Sequence, residues 1–226
     1  MSAEIVSLQV GRPAPLPWRG GSVPSAIVKT PVAGRVALGP LGLAGDEQAD
    51  RAVHGGPDKA VCCYPVEHRA RWEAELGVAL PHGAFGENLS THGLVEAAAG
   101  IGDVLRAGTA VVQVSQPRGP CYKLAARWGH RTLPGLMARA GISGWYLRVL
   151  EPGEVGAGDT LELLEAAGGV TVADVMDATY GDGRRDAALI RRVLDSEALA
   201  ASWHESLLGL WRRRALPVRD FGVGGD

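Results

Sequence analysis

Residues 111–127, VVQVSQPRGPCYKLAAR, begin with the pattern of a β-strand and end with the pattern of a loop. Apolar and polar residues alternate over positions 112–115, which is the two-residue period of a half-buried strand. Two prolines then stiffen a loop that carries a single cysteine, Cys121. The segment therefore predicts a strand that leads directly into a rigid loop presenting a thiol.

Short segments of the same kind recur on both sides of this strand. The chain holds 32 glycines and 14 prolines, which suit turns between many short strands. Strands are predicted at residues 5–10, 25–30, 60–64, 103–106, 109–115, 145–150 and 160–164. Their spacing favours a barrel over repeated βαβ units, so we expect a mainly β (α+β) fold with a β-barrel domain over residues 1–165.

Two helical patterns interrupt the predicted barrel. One runs from Pro65 to residue 76, because proline suits the first position of a helix. The other lies within residues 124–140. Both are short, and they leave the β class of the domain unchanged.

After residue 169 the hydrophobic pattern takes the period of a helix. One helix is predicted behind the capping-box pair Thr171 and Asp174, a second from about Asp186, and a third behind Ser196 as its N-cap. We therefore expect a small C-terminal three-helix domain over residues 169–215, which can be removed without loss of the barrel. The tail at residues 218–226 is expected to fray.

The composition excludes several classes of function. Lys and Arg number 23 against 25 Asp and Glu, a net charge of −2, so we expect no nucleic-acid partner. The sequence shows neither a signal peptide nor an apolar run near the roughly 20 residues that span a bilayer, so we expect no membrane contact and a cytoplasmic location. Three cysteines, two of them adjacent, make a poor disulfide framework. Cysteine chemistry here would be reactive or metal-binding.

Cys121 is the leading candidate for such chemistry. Arg118, Lys123 and Arg127 flank it, and nearby positive charge favours the thiolate, the form that ligates metals and attacks electrophiles. The alternative is that Cys121 is a small packed apolar residue. A nucleophile would need a neighbouring base, and the six histidines are scattered, whereas a metal-bound cysteine needs none.

A second polar segment covers residues 42–68, GLAGDEQADRAVHGGPDKAVCCYPVEH. Asp46, Asp50 and His54 are four residues apart and would line up as metal ligands on a helix, although the neighbouring glycines favour a polar loop instead. Lys59 and His54 could donate hydrogen bonds to a phosphate or a pterin edge.

Three other side chains in this part of the sequence have a plain structural interpretation beside a functional one. Cys62 and Cys63 lie in a predicted strand, point to opposite faces and are interpreted as packing residues. Asn88, in the turn GAFGENL, could anchor a heterocycle through its amide.

Four of these segments, GDEQADRAVHGGPDKAV, GAFGENL, IGD and QPRGPCYK, closely resemble the MOSC family, the molybdenum-cofactor-sulfurase C-terminal domain, in its free-standing bacterial YiiM-type branch. The resemblance covers residues 3–164, and the trailing helices resemble the three-helix domain of that branch. It implies a β-barrel and makes Cys121 the protein ligand to molybdenum carried on molybdopterin. Other cofactor-binding positions would be Arg118, Lys123, Arg127, Asn88, Asp46 and Asp50, with His54 and Lys59 beside Cys121 as catalytic residues.

The resemblance also implies an activity, the reductive removal of oxygen from N-hydroxylated compounds such as 6-hydroxylaminopurine. No Fe–S cysteine cluster and no G-x-G-x-x-G after a strand is present in the sequence, so an external flavoprotein or Fe–S reductase is expected to supply electrons. The helices, with Trp203 and Trp211, could instead cover the pocket or form a homodimer contact.

Two other functions compete with the reductase hypothesis. One is a carrier that holds the molybdenum cofactor, or a persulfide on Cys121, without turnover. The other is a metal-dependent hydrolase built on Asp46, Asp50 and His54, which would survive the loss of Cys121.

Overall fold

A computed structural model describes residues 2–215, with side chains through residue 212. Its strands are β1 Ser2–Val10, β2 Ala14–Trp18, β3 Gly21–Ser25, β4 Thr30–Pro31, β5 Arg35–Gly39, β6 Gly42–Leu43, β7 Val61–Pro65, β8 Leu89–His92, β9 Val104–Ala107, β10 Ala110–Pro117, β11 Trp145–Glu151, β12 Gly153–Gly156 and β13 Thr160–Glu165. Its α-helices are α1 Arg51–His54, α2 Arg69–Leu76, α3 Tyr122–Trp128, α4 Leu133–Ala140, α5 Val172–Tyr180, α6 Ala187–Leu194 and α7 Ala201–Ala215.

Seven of the strands close into a barrel. The order is β13, β9, β10, β11, β7, β8 and β1, and β1 pairs again with β13 to complete the ring. All neighbouring pairs are antiparallel except β7 with β8. Closure removes the exposed sheet edges, and the inward side chains of alternate positions fill the interior. The predicted mainly β barrel with C-terminal helices is confirmed.

The sequence prediction is wrong for the strand at residues 25–30. β3 ends at Ser25 and β4 begins at Thr30, so residues 26–29 form a loop. The apolar Ile27 that suggested a strand is buried in a side cluster outside the barrel interior, and its carbonyl accepts a hydrogen bond from the Arg127 side chain. The strands β2 and β3 form a separate two-stranded hairpin with three prolines, which edge strands tolerate and which hid it in the sequence.

The predicted helix start at Pro65 is also wrong. Pro65 is the last residue of β7, where it pairs in register with Thr91 of β8. One 3-10 turn, Val66–His68, follows before α2 begins. The predicted helical stretch at 124–140 divides into α3 and α4, because Gly129 ends α3 in the left-handed conformation with φ 65°.

Two of the three C-terminal helices begin where the sequence placed them. Thr171 and Asp174 form the predicted capping box of α5, and Asp186 caps α6. The third helix starts at Ala201, five residues beyond the predicted cap Ser196. The intervening turn is held against the barrel, since the Ala200 amide donates to the Ser115 carbonyl at 2.9 Å.

The helices and the barrel share one apolar core. Val172, Val175, Ile190 and Leu207 are buried in the same cluster as the barrel interior. The expectation that residues after 168 can be removed without harm therefore conflicts with the packing, although β13 ends at Glu165 and α5 begins only at Val172. The predicted fraying of 218–226 concerns residues outside those described. Within residues 2–215 no helix is long and apolar enough to cross a bilayer.

Candidate functional site

A pocket opens where β10 runs into the loop at residues 118–121. Its empty volume is about 630 Å³ including the open mouth. The strands β7 and β11 contribute to the floor, and the loops before β4, α1, β8 and α3 contribute to the walls and rim. The side chains that matter below are those of Ile27, Lys29, Asp46, His54, Lys59, Cys62, Phe85, Asn88, Arg118, Cys121, Lys123 and Tyr146.

Cys121 presents a free, half-buried thiol to this pocket. It occupies the N-cap position of α3 in extended conformation, and its side chain makes no capping hydrogen bond. The loop that carries it is fixed through the backbone of Arg118, whose amide donates to the Gly144 carbonyl at 2.9 Å. The Ser143 hydroxyl donates to the Arg118 carbonyl at 2.6 Å. The predicted rigid loop is therefore present, held by hydrogen bonds as well as by its prolines.

Arg118 lines the pocket, and one nitrogen of its guanidinium is buried without a hydrogen-bond partner among the described residues. Its Nη2 donates to the Phe85 carbonyl at 2.6 Å. Its buried Nη1 has no partner of normal hydrogen-bond geometry among the described residues, although the Tyr146 hydroxyl lies near enough to the guanidinium to interact with it. Burial alone would lower the pKa of Arg118, but the groups of Cys62, Cys121 and Tyr146 outweigh it and raise the pKa. A charged guanidinium with an unsatisfied buried N–H carries a desolvation cost that a bound anion would remove.

Three further predicted residues share the pocket, namely His54, Lys59 and Lys123. Burial lowers the pKa of His54, and the positive charges of Lys123 and Arg118 lower it further. Burial likewise lowers the pKa of Lys59, whose Nζ donates to the Val53 carbonyl at 2.7 Å. His54 is thus neutral at neutral pH and can exchange protons, in a pocket whose overall charge is positive.

Asp46 lines the pocket, and its carboxylate is bonded to two other groups of the pocket wall. Its carboxylate pairs with Lys29, and the two side chains are only 3% and 7% exposed. It also accepts a hydrogen bond from the Gly11 amide at 2.7 Å. Asp46 thus forms a buried ion pair in the pocket wall, and its role in cofactor binding stays a prediction.

The triplet of Asp46, Asp50 and His54 does not form a metal site. Asp50 is exposed, caps the four-residue helix α1 through the Val53 amide at 3.3 Å, and is not among the pocket's lining residues. Throughout the described chain no group of three or more His, Cys, Asp or Glu side chains is arranged to hold a metal ion. The described residues therefore give no support to the hydrolase hypothesis, which required such a triplet.

The side chains of Arg127 and Asn88 form hydrogen bonds to backbone groups around the pocket. The Arg127 Nη1 donates to the carbonyls of Ile27 and of Gly83, at 2.7 Å for the latter, so it ties two loops together outside the pocket. The Asn88 amide accepts from the Cys62 amide at 3.1 Å and donates to the Gln9 carbonyl at 3.3 Å. Their polar groups bond to backbone, Asn88 also lines the pocket, and the contact of either residue with a cofactor or a heterocycle stays a prediction.

Glu87 braces the loop before β8, a role that was not predicted from the sequence. Its buried carboxylate accepts from the amides of Gly83 at 2.6 Å and Phe85 at 2.9 Å and from the Ser90 hydroxyl at 3.1 Å. It therefore shapes the loop whose Phe85 carbonyl receives Arg118. A carboxylate among glycines, in GAFGEN, is the signal that could have identified this loop as an internally braced turn.

Cys62 and Tyr146 are missed members of the pocket floor. Burial raises the pKa of Cys62 to about 12 and raises that of Tyr146 as well, so both stay protonated. Cys63 points the other way into the barrel core, as the predicted alternation requires. Cys121 is thus the one thiol of the three, all within the described residues, that is more than marginally exposed.

Comparison with known proteins is consistent with this geometry. Residues 50–162 match the MOSC domain, and residues 170–209 match the YiiM-like 3-alpha helix domain. The chain is 43% identical over 204 residues to the protein YiiM of Escherichia coli, covering 88% of both chains. It matches a crystal structure of YiiM from Geobacillus stearothermophilus with a TM-score of 0.77 and 39% identity, over 92% of this chain and 98% of that one.

A fungal relative extends the comparison to a longer protein. Over 150 residues the chain is 39% identical to a protein named reductase from Gibberella moniliformis, covering 65% of this chain and 27% of the relative.

Proposed function

Since the chain belongs to the MOSC domain family and continues into the YiiM-like 3-alpha helix domain, we propose that it is a molybdenum-cofactor-dependent reductase of N-hydroxylated compounds, with 6-hydroxylaminopurine-type bases as the substrate class. The carrying observation is the juxtaposition of a half-exposed thiol, Cys121, with a buried guanidinium, Arg118, whose Nη1 is unpaired in the same pocket. This combination suits an anionic ligand that also needs a soft sulfur donor.

The residues present fit the molybdenum cofactor. A metal that arrives with its own dithiolene sulfurs and oxygen ligands needs few ligands from the protein, so the absence of a multidentate cluster among residues 2–215 is compatible with the single donor Cys121. Arg118 and Lys123 would hold the anionic parts of the cofactor. Lys59 adds positive charge at the rim.

When bound, the cofactor supplies the two-electron chemistry that removes the oxygen of an N–OH group. The reaction consumes two electrons and two protons and yields the amine and water. His54 is neutral at neutral pH and lies in the pocket, so it can hold the leaving oxygen through a hydrogen bond or relay a proton from solvent. Phe85 and the protonated Tyr146 provide flat, apolar surface against which a purine ring can pack.

Electrons are proposed to come from a separate reductase, a flavoprotein or an Fe–S protein. The pocket mouth is open to solvent and Cys121 lies near the surface, so a partner could approach closely. A relative that carries a matching segment within a longer protein is named reductase. That arrangement is compatible with a MOSC domain working alongside redox domains.

The proposal is tested on protein produced in a host that makes molybdenum cofactor. We expect Cys121→Ser to lose molybdenum by elemental analysis while retaining the wild-type melting temperature, because its side chain makes no structural hydrogen bond. Cys62→Ala is the matched control and should keep its metal. Equal molybdenum in wild type and Cys121→Ser would contradict the assignment of the ligand.

Turnover is tested on the same preparations. Holoprotein mixed with NADH and an N-hydroxylated purine should be inert, and a strong chemical reductant should start conversion to the amine. Silence under every reductant, in protein shown to contain molybdenum, would favour the carrier hypothesis over the reductase. Turnover with NADH alone would show that the chain has its own electron entry site and would overturn the need for a partner.

A further inference from the structure

The three-helix domain touches the cysteine loop from the α7 side. An ideal Cβ built on Gly119, two residues before Cys121, would lie 3.8 Å from Cζ2 of Trp203. The edge of the indole therefore faces the loop at Gly119, with room for about one methyl group between them. Tyr180 of α5 packs edge-on against the same ring, with centroids 6.2 Å apart and planes at 89°, which fixes its orientation.

The turn that precedes α7 is bonded to the end of β10, the strand that carries the loop. The Ala200 amide donates to the Ser115 carbonyl at 2.9 Å. The Ser202 hydroxyl donates to Gln116 Oε1 at 3.4 Å. From the neighbouring strand β11, Arg148 donates to the Ala198 carbonyl at 3.0 Å. Residues 115 and 116 lie immediately before Pro117, so these bonds fix the base of the loop.

The first helix of the domain reaches the loop from its other side. Met176 of α5 lies 3.8 Å, sulfur to oxygen, from the Ser143 hydroxyl. That hydroxyl donates to the Arg118 carbonyl at 2.6 Å. The adjoining Gly144 has φ +80° and sits against the Cys63 carbonyl, where any side chain would clash, so the segment that receives Arg118 has little room to move.

From these contacts we infer that the three-helix domain positions the cysteine loop, with Trp203 as the positioning residue for Cys121. The domain is then part of the site's construction and not an independent appendage. The inference rests on the proposed function only for the identity of the ligand that Cys121 holds. Its structural content, a loop whose mobility is set by Trp203, is measurable without any cofactor.

The test uses alkylation of Cys121 by iodoacetamide in the full-length apoprotein. Cys62 and Cys63 are 5% and 0% exposed and burial raises the pKa of both, so the modification reports Cys121, with Cys121→Ser as the blank. We expect Trp203→Ala to raise the alkylation rate by about fivefold, the change that loss of one ordinary aromatic contact makes in an opening equilibrium. Trp203→Phe should restore most of the wild-type rate.

Trp211→Ala is the matched control. This residue is on the same helix, also half-buried against the shared core, but about 12 Å further along the axis at 1.5 Å per residue. It should lower the melting temperature comparably and leave alkylation unchanged. Equal acceleration in both tryptophan variants, or none in Trp203→Ala, would overturn the inference. Absence of molybdenum from wild-type protein would overturn the proposed function alone, because the alkylation comparison would still decide the role of Trp203.

Discussion

The buried ion pair between Lys29 and Asp46 allows a direct test of whether Asp46 serves the ligand or the wall. Asp46→Asn keeps the shape and an oxygen that can still accept from the Gly11 amide, so the principal loss is the negative charge opposite Lys29. Both side chains are almost fully buried, at 3% and 7% exposure. Breaking such a pair by removing one charge costs about 3–5 kcal/mol, because the other charge stays buried without compensation.

The loss is measured by urea denaturation of the apoprotein. At a slope of about 2–3 kcal/mol per molar for a chain of this size, the midpoint should fall by roughly 1–2 M. Asp50→Asn is the control, since Asp50 is exposed and asparagine is an equally good N-cap, and it should leave the midpoint unchanged. Adding Lys29→Met to Asp46→Asn removes both charges and should recover much of the loss.

The outcome that refutes this argument is specific. If Asp46→Asn keeps the wild-type urea midpoint and yet lowers molybdenum content, the carboxylate faces the ligand, as the sequence alone suggested. A midpoint that falls equally in Asp50→Asn would show that the urea response does not depend on burial of the charge.

Three further predictions follow from the same structure. Deleting the residues after Gly168 should abolish cooperative unfolding of the barrel, because it removes fully buried side chains such as Val172 and Val175 from the shared core. Burial of each such side chain stabilises the fold by about 1.5–3 kcal/mol. A monodisperse fragment that melts within a few degrees of the full chain would contradict this prediction. Folding lowers the pKa of His54 from 6.5, mainly through burial, so as pH falls the unfolded chain binds the His54 proton before the folded chain does. The contribution of neutral His54 to stability is therefore complete above pH 6.5 and declines below it. Urea midpoints measured from pH 8 to 5 should decline less in His54→Gln, and identical profiles would show that His54 is not desolvated. Cys63→Ala should cost about 1–2 kcal/mol in urea titrations with unchanged molybdenum content, and loss of metal would mean that the ligand thiol is misassigned.

The fold was predictable from the sequence where strands are long and alternate, and it was not where proline enters a strand. β1, β10 and β11 all follow the two-residue period and were placed within a few residues. The hairpin of β2 and β3 carries prolines that a central strand would exclude, but each of its strands is paired on one side only, and edge strands tolerate proline. Such tolerance depends on tertiary position, which a local pattern does not contain.

The start of α7 shows the same limit at the other end of the chain. Ser196 is a good N-cap residue, and the apolar residues behind it have helical spacing. Ala198 and Ala200 nevertheless form hydrogen bonds to Arg148 and Ser115 of the barrel, and the helix begins only at Ala201. The local cap signal was outweighed by two long-range hydrogen bonds and by the burial of Leu199.

Arg118 and Arg127 differ in their hydrogen-bond partners, a difference that residue type alone does not predict. Arg118 and Arg127 stand in the same segment, residues 111–127, and nothing in the local pattern separates their roles. In the fold, Arg127 meets two backbone carbonyls, those of Ile27 and Gly83, and its charge is used to join two loops. Arg118 meets one carbonyl, and its Nη1 is buried without a partner among the described residues. The two arginines therefore differ in how many acceptors the surrounding backbone supplies, and that number is set by loops distant in sequence.

The pocket is stable even though the Arg118 Nη1 lacks a hydrogen-bond partner among the described residues. Leaving the Arg118 Nη1 unpaired costs about 1–3 kcal/mol, which the protein tolerates because both backbone groups of Arg118 are bonded to the turn at Ser143 and Gly144. Glu96 supports that turn, since its buried carboxylate accepts from the Gly144 amide at 2.8 Å. The same bonds hold Arg118 in the pocket that Cys121 also lines. A more flexible loop would let Arg118 find an acceptor of its own, and the pocket would lose the group that most favours an anionic ligand.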